Sequence, residues 1–178
     1  MGSFFRSFIA LKETFVAALG TSSSFATIPS ALHSLRHELH LDEQATKLVI
    51  PLGVSLNPHG TAIYFAISAV FIAQLYNTSL SAPALIIILV GSILAGIAAT
   101  GAPGAGALPM IALILEPLGL PVATAVVFLI AVDPVLDPII TLTTVHANCT
   151  AAAMVAKDQH KQISSTIKKK SRFSSIRK

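Results

Sequence analysis

Residues 98–109, AATGAPGAGALP, hold three glycines and two prolines, and strongly apolar sequence flanks them on both sides. PALIIILVGSILAG lies just before the run and MIALILEPLGLPVATAVVFLIAV follows it directly. A helix-breaking stretch between such segments restricts the fold sharply. Lipid offers no partner to a bare N–H or C=O, so non-helical backbone persists at membrane depth only where protein or a water-filled cavity covers it.

Composition supports that setting. The chain is 53% hydrophobic and 11% charged, whereas a soluble domain is nearer a quarter charged. Residues 48–76 are long enough to cross about 30 Å of hydrocarbon as a helix and are interrupted midway by NPHGT. Residues 122–156 form a second long segment, and within them residues 122–145 carry Asp133 and Asp137. Before each stands a shorter unit of arm, break and arm: residues 4–35 around GTSSSFATIPS, and residues 83–118 around the Gly/Pro run. The fourteen apolar residues 83–96 cover only about 21 Å as helix. That length favours re-entrant hairpins over ordinary turns between spanning helices. The expected fold class is therefore an all-α polytopic membrane protein with two re-entrant helical hairpins and two long, interrupted transmembrane helices.

Eight of the twelve Lys and Arg residues fall in residues 157–178. Directly after an apolar span, such a run reads as a basic cytoplasmic tail rather than a nucleic-acid-binding arm. The single cysteine, Cys149, excludes an intramolecular disulfide, and no CxxC or HExxH pattern suggests a zinc site. His33, His37 and His40 have helical spacing but lie among charges, so a solvated face is expected of them rather than a metal site. MGSFFRS matches the myristoylation pattern only superficially, because its serine comes too late.

Polar groups inside the spans mark candidate sites. Asp133 and Asp137 are four apart and share a helix face, which Thr141, Thr144 and Asn148 extend. A carboxylate at the bilayer centre costs about 3 kcal/mol, so it is expected to face a cavity or a partner. A packing contact or a helix-end hydrogen bond is the alternative for Asp133. Pro134 and Pro138 each remove a backbone donor and free a carbonyl, which predicts a bend in the helix. In LGVSLNPHGTAIYF, Gly53, Asn57, His59, Gly60 and Thr61 fall mid-span, where unwound backbone supplies carbonyl oxygens to a small cation. His59 can exchange a proton near neutrality, or it can stay neutral and hydrogen-bond a neighbouring helix.

The order TSSSFATIPS, IPLGVSLNPHGTAIY, FIAQ, GAPGAGALPMIALILEPLGLP, AVDPVLD and AAAMVAK resembles the dicarboxylate/amino acid:cation symporters, the glutamate-transporter family. The resemblance covers nearly all of residues 15–157. It implies the C-terminal transport-domain portion of such a carrier, over residues 1–156. Substrate-binding positions would then be Ser24, Thr61, Ala102, Gly106, Asp137, Thr141 and Thr144. A coupling cation would sit at Gly53, Asn57 and Asn148, with His59 and Asp133 as candidate proton carriers.

Several positions depart from the family pattern. His59 stands where an acidic residue is usual, Pro58 replaces a bulky apolar one, and Asn148 and Thr144 replace an aspartate and an asparagine. Ile140 stands where acidic-substrate carriers have an arginine. These changes imply proton rather than sodium coupling and a substrate without an acidic side chain. The expected function is secondary active symport of a small carboxylate or amino acid by a family fragment, with no enzymatic activity, no cofactor and no metal beyond a coupling cation. The alternative is a non-transporting remnant or one half of a split carrier. Expected partners are the lipid bilayer, a separate scaffold polypeptide and a homotrimer, and no nucleic acid. The expected location is a bacterial-type plasma membrane, with a cytoplasmic C-terminus. An intramembrane aspartyl protease would need carboxylates from separate helices, whereas Asp133 and Asp137 share one.

Overall fold

The computed structural model describes residues 8–102 and 104–176. The myristoylation pattern and Pro103 lie outside them, as do the tail side chains. Among the described residues every regular element is a helix.

Helix α1, Lys12–Thr21, ends where Ser22 turns into the left-handed region (φ 48°, ψ 30°) and its N–H reaches the Ala18 carbonyl. That is a non-glycine version of the left-handed C-cap. The first break is therefore shorter than the sequence suggested. Chain direction recovers at α2, Ile28–His33, with Pro29 in the first turn, where its missing N–H costs nothing. A π-helical turn, Ser34–Glu38, continues it.

Helix α3, Glu43–Leu56, begins earlier than hydropathy indicates because Asp42 caps it: the carboxylate accepts the Ala45 N–H at 2.8 Å. The chain unwinds only at Asn57 and Pro58, not through Thr61, and helix α4 resumes at once over His59–Leu75. Together α3 and α4 make an apolar span of 33 residues.

Helix α5, Ala82–Ala98, is followed by the tip, a 3-10 segment over Gly104–Ile111 and the short α6, Ala112–Leu115. Helix α7, Val122–Ile176, stays continuous through Pro134 and Pro138. Its portion Val122–Ala156 is the second membrane-length apolar segment. With 10 and 17 residues, α1 and α5 reach about 15 and 26 Å, below the roughly 30 Å of a hydrocarbon core.

Two apolar clusters hold the helices together. One joins Phe65, Ala69 and Ile72 of α4 to Ile88 and Ala95 of α5, to Ile111 and Ile114, and to Ala125 and Leu129 of α7. The other joins Phe15 and Ala18 of α1 to Ala31, Leu35 and Ile50, and to Val145, Cys149 and Ala152 further along α7. Each helix–break–helix unit thus packs on its own half of α7, and the two tips are left facing the middle. Leu48, Leu52, Ile63, Ile67, Leu89, Ile93, Val127 and Val135 stay exposed around the outside. Such a belt would be untenable in water and is what lipid solvates.

Candidate functional site

A cavity of about 460 Å³ opens between the two tips and the middle of α7. From the first tip it takes Ser22, Ser23, Ser24 and Phe25, and from the second Thr100, Gly101 and Ala102. Gly101 has φ +89°, a conformation that a side chain disfavours, so the second tip turns where a glycine permits it. The α3–α4 break contributes Val54, Pro58, Thr61, Tyr64 and Phe65. Helix α7 contributes Asp133, Asp137, Ile140, Thr141 and Thr144.

These five residues of α7 fall at i, i+4, i+7, i+8 and i+11, which aligns them on one face. Asp133, Thr141 and Thr144 are buried. Across the cavity the break in the span leaves two helix ends meeting at Asn57 and Pro58. The end of α3 presents carbonyl oxygens and the start of α4 presents N–H groups. One of those N–H groups, that of Gly60, donates to Thr144 Oγ1 at 3.2 Å, tying the two spans across 84 residues of chain. A side chain at position 60 would run into the Ile140 carbonyl, so the helices approach this closely only over glycine.

Six of the seven expected substrate-binding residues line the cavity: Ser24, Thr61, Ala102, Asp137, Thr141 and Thr144. The seventh, Gly106, stands outside it in the 3-10 segment, exposed and with open space around it. Of the expected coupling residues, Asp133 lines the cavity and the other four do not. Asn148, one turn beyond Thr144 on α7, is buried and faces Gly53, where an added Cβ would lie 2.8 Å from its Oδ1. Among the described residues its Nδ2 has no hydrogen-bond partner. His59 Nδ1 lies 2.9 Å from the Asn57 carbonyl oxygen, which assigns it the proton in the neutral ring and leaves the buried Nε2 as an acceptor with no partner among the described residues. Asn57 itself is exposed.

Tyr64, Phe65, Phe25, Leu108 and Thr100 are cavity residues that the sequence reading missed. Tyr64 was within reach of it, being one helical turn after Thr61. Its hydroxyl is buried and has no hydrogen-bond partner among the described residues. His33 and His37 are exposed with ring centroids 4.5 Å apart. Among the described residues no group of three His, Cys, Asp or Glu is arranged to hold a metal ion.

The model of the Sodium:dicarboxylate symporter family matches residues 1–158. Among curated relatives, an excitatory amino acid transporter of Caenorhabditis elegans is 38% identical over 145 residues, which is 82% of this chain and 28% of that protein. A second protein of the same organism, called a putative sodium-dependent excitatory amino acid transporter, is 34% identical over 83% of the chain and 29% of its own length. Excitatory amino acid transporter 1 of Homo sapiens is 38% identical over 82% of the chain and 26% of its own length. The chain thus spans little more than a quarter of these relatives.

Proposed function

The chain belongs to the sodium:dicarboxylate symporter family, and on that premise we propose that its cavity binds a small amino acid for cation-coupled transport. One observation carries the choice of substrate: among the described residues the charged side chains in the cavity wall are Asp133 and Asp137, with no lysine or arginine among them. Asp137 then takes the substrate's ammonium group, with the Thr141 and Thr61 hydroxyls beside it. The hydroxyls and backbone N–H groups of residues 22–24 take the carboxylate. What remains of the wall near Ile140 and Phe25 is apolar, which suits a neutral side chain. An acidic side chain there would meet two carboxylates and no counter-charge, and like charges in a poorly hydrated site repel strongly.

For the coupling ion we take sodium as the first reading, because the family is named for it and a relative is called sodium-dependent. Proton coupling, the expectation from the sequence, keeps one supporting observation as a second reading: the unpartnered, buried Nε2 of His59 at the unwound break. The hairpins are proposed to be re-entrant, their arms being shorter than a bilayer. The relatives named above come from animals, so we place the chain in a plasma membrane without the bacterial assignment.

The test is uptake of labelled neutral amino acids, acidic amino acids and dicarboxylates into proteoliposomes of the purified chain, with imposed sodium or proton gradients. Binding to the same preparation is measured in parallel. Neutral amino acids are expected to bind and accumulate under a sodium gradient. Accumulation under a proton gradient alone would move the assignment to His59. Asp137→Asn is expected to abolish binding of every amino acid. Unchanged affinity in that variant removes Asp137 from the site and sinks the substrate assignment.

A further inference from the structure

The chain passes from its first helix–break–helix unit into the first span through residues 34–42, and this connection carries a pair of imidazoles. Helix α2 ends at His33 and runs into the π-helical turn Ser34–Glu38, where the Leu39 N–H donates to the Ser34 carbonyl at 3.2 Å. Such wide turns are rare and occur frequently at functional sites. His33 and His37 lie side by side across it, with ring centroids 4.5 Å apart and planes inclined by 38°, and both are exposed. A cavity of about 170 Å³ opens between the pair and α3. Arg36, Glu43 and Lys47 also line it, but Glu43 holds both cations, at 2.9 and 2.7 Å, so their charged ends are engaged with its carboxylate. The two imidazoles are left to meet a ligand.

Imidazole is the commonest metal ligand and suits copper, nickel and zinc. With metal–nitrogen bonds of about 2.0–2.1 Å, each ring centroid sits about 3.2 Å from the ion, so two rings bound at a right angle lie about 4.5 Å apart and two at a tetrahedral angle about 5.2 Å apart. The observed separation is that of the right-angle pair. Turning each ring about its Cβ–Cγ bond, a soft torsion whose axis passes close to the centroid, aims its nitrogens while keeping that separation. We propose that His33 and His37 form a two-imidazole site for a divalent transition-metal cation, copper or nickel before zinc, with water in the other coordination positions. His40 follows in left-handed backbone (φ 52°), and no third His, Cys, Asp or Glu among the described residues is placed to join the pair. A bound ion ties the end of α2 to the π turn and so braces the junction between the first unit and the first span. This assignment is independent of whether the chain transports.

The test titrates the full chain, purified in detergent and treated with chelator, with Cu²⁺, Ni²⁺, Zn²⁺ and Mg²⁺. Copper is expected to saturate one site at micromolar concentration, nickel and zinc to bind more weakly, and magnesium, which prefers oxygen ligands, not to bind. The electron paramagnetic resonance spectrum of the copper-loaded native chain is expected to show two nitrogen ligands. His33→Asn and His37→Asn should each weaken copper binding by about tenfold or more, because each removes one of the two protein ligands. His40→Asn should leave it unchanged. Melting temperatures without metal check that the variants fold, which loss of an exposed side chain should not prevent. Undiminished copper affinity in the His33→Asn/His37→Asn double variant would overturn the proposal, and so would a native spectrum with one nitrogen or none. Saturation of the native chain only at millimolar metal would also overturn it, in favour of adventitious surface binding.

Discussion

The contact that closes the cavity from behind is the approach of Gly60 to α7, and Gly60→Ala tests it. An ideal Cβ at that position falls 2.5 Å from the Ile140 carbonyl oxygen, and it also collides with Thr144 Oγ1. Thr144 can rotate, but the backbone carbonyl cannot. Reaching the 3.4 Å at which ordinary contact begins requires α4 and α7 to part by most of an ångström. Overpacking of this kind costs about 1–3 kcal/mol. The Gly60 N–H to Thr144 bond, 3.2 Å at present, lengthens out of range and adds about 1 kcal/mol. Alanine's better helix propensity returns at most about 1 kcal/mol. The net loss of about 1–3 kcal/mol corresponds to a melting temperature lower by roughly 3–10 °C for a chain of this size. Thr61 is the next residue and moves with the helix, so amino-acid affinity should fall by about tenfold or more. Both are measured on detergent-purified protein, by thermal unfolding and by ligand titration. Gly20→Ala is the control, because a Cβ there meets nothing within 4 Å. If Gly60→Ala matches Gly20→Ala in both melting temperature and affinity, the close α4–α7 approach is wrong.

Two further substitutions probe different parts of the argument. Ile140→Arg sets a guanidinium in the cavity wall near Asp137 and should turn selectivity from neutral toward acidic amino acids, by about tenfold or more in the ratio of affinities. An unchanged ratio in competition binding would show that position 140 does not meet the substrate side chain. Asp42→Ala removes the acceptor that holds the Ala45 N–H at 2.8 Å and should cost about 1 kcal/mol. The melting temperature should fall by about 2–4 °C with amino-acid affinity unchanged, since the cap lies away from the cavity.

Much of the architecture was legible because the bilayer imposes one rule on every segment: backbone groups must be paired within the chain. Apolar length alone marked residues 48–76 and 122–156 as spans, and Gly, Pro and Asn clusters marked where helices stop. The i, i+4 spacing of Asp133 and Asp137 by itself puts both carboxylates on one face. Boundaries were less legible. The first span begins at Glu43 rather than Leu48, because the Asp42 cap and the Glu43–Lys47 pair extend the helix beyond its apolar stretch. The NPHGT break narrows to Asn57 and Pro58, because Thr144 supplies the acceptor that lets helix resume at His59. Pro134 and Pro138 leave no break in α7.

By itself, then, the sequence determined a helical membrane protein, its four segments and the polar residues that lipid would not tolerate unpartnered. These are consequences of composition and periodicity, which act locally along the chain. Only the tertiary structure decided that Tyr64, Phe65 and Thr100 share a cavity with Asp137, and that Gly106, Asn57 and His59 lie outside its wall. Which residues meet across a cavity depends on how closely helices from distant parts of the chain can approach. That distance is set by single contacts such as Gly60 against Ile140, which no local pattern encodes.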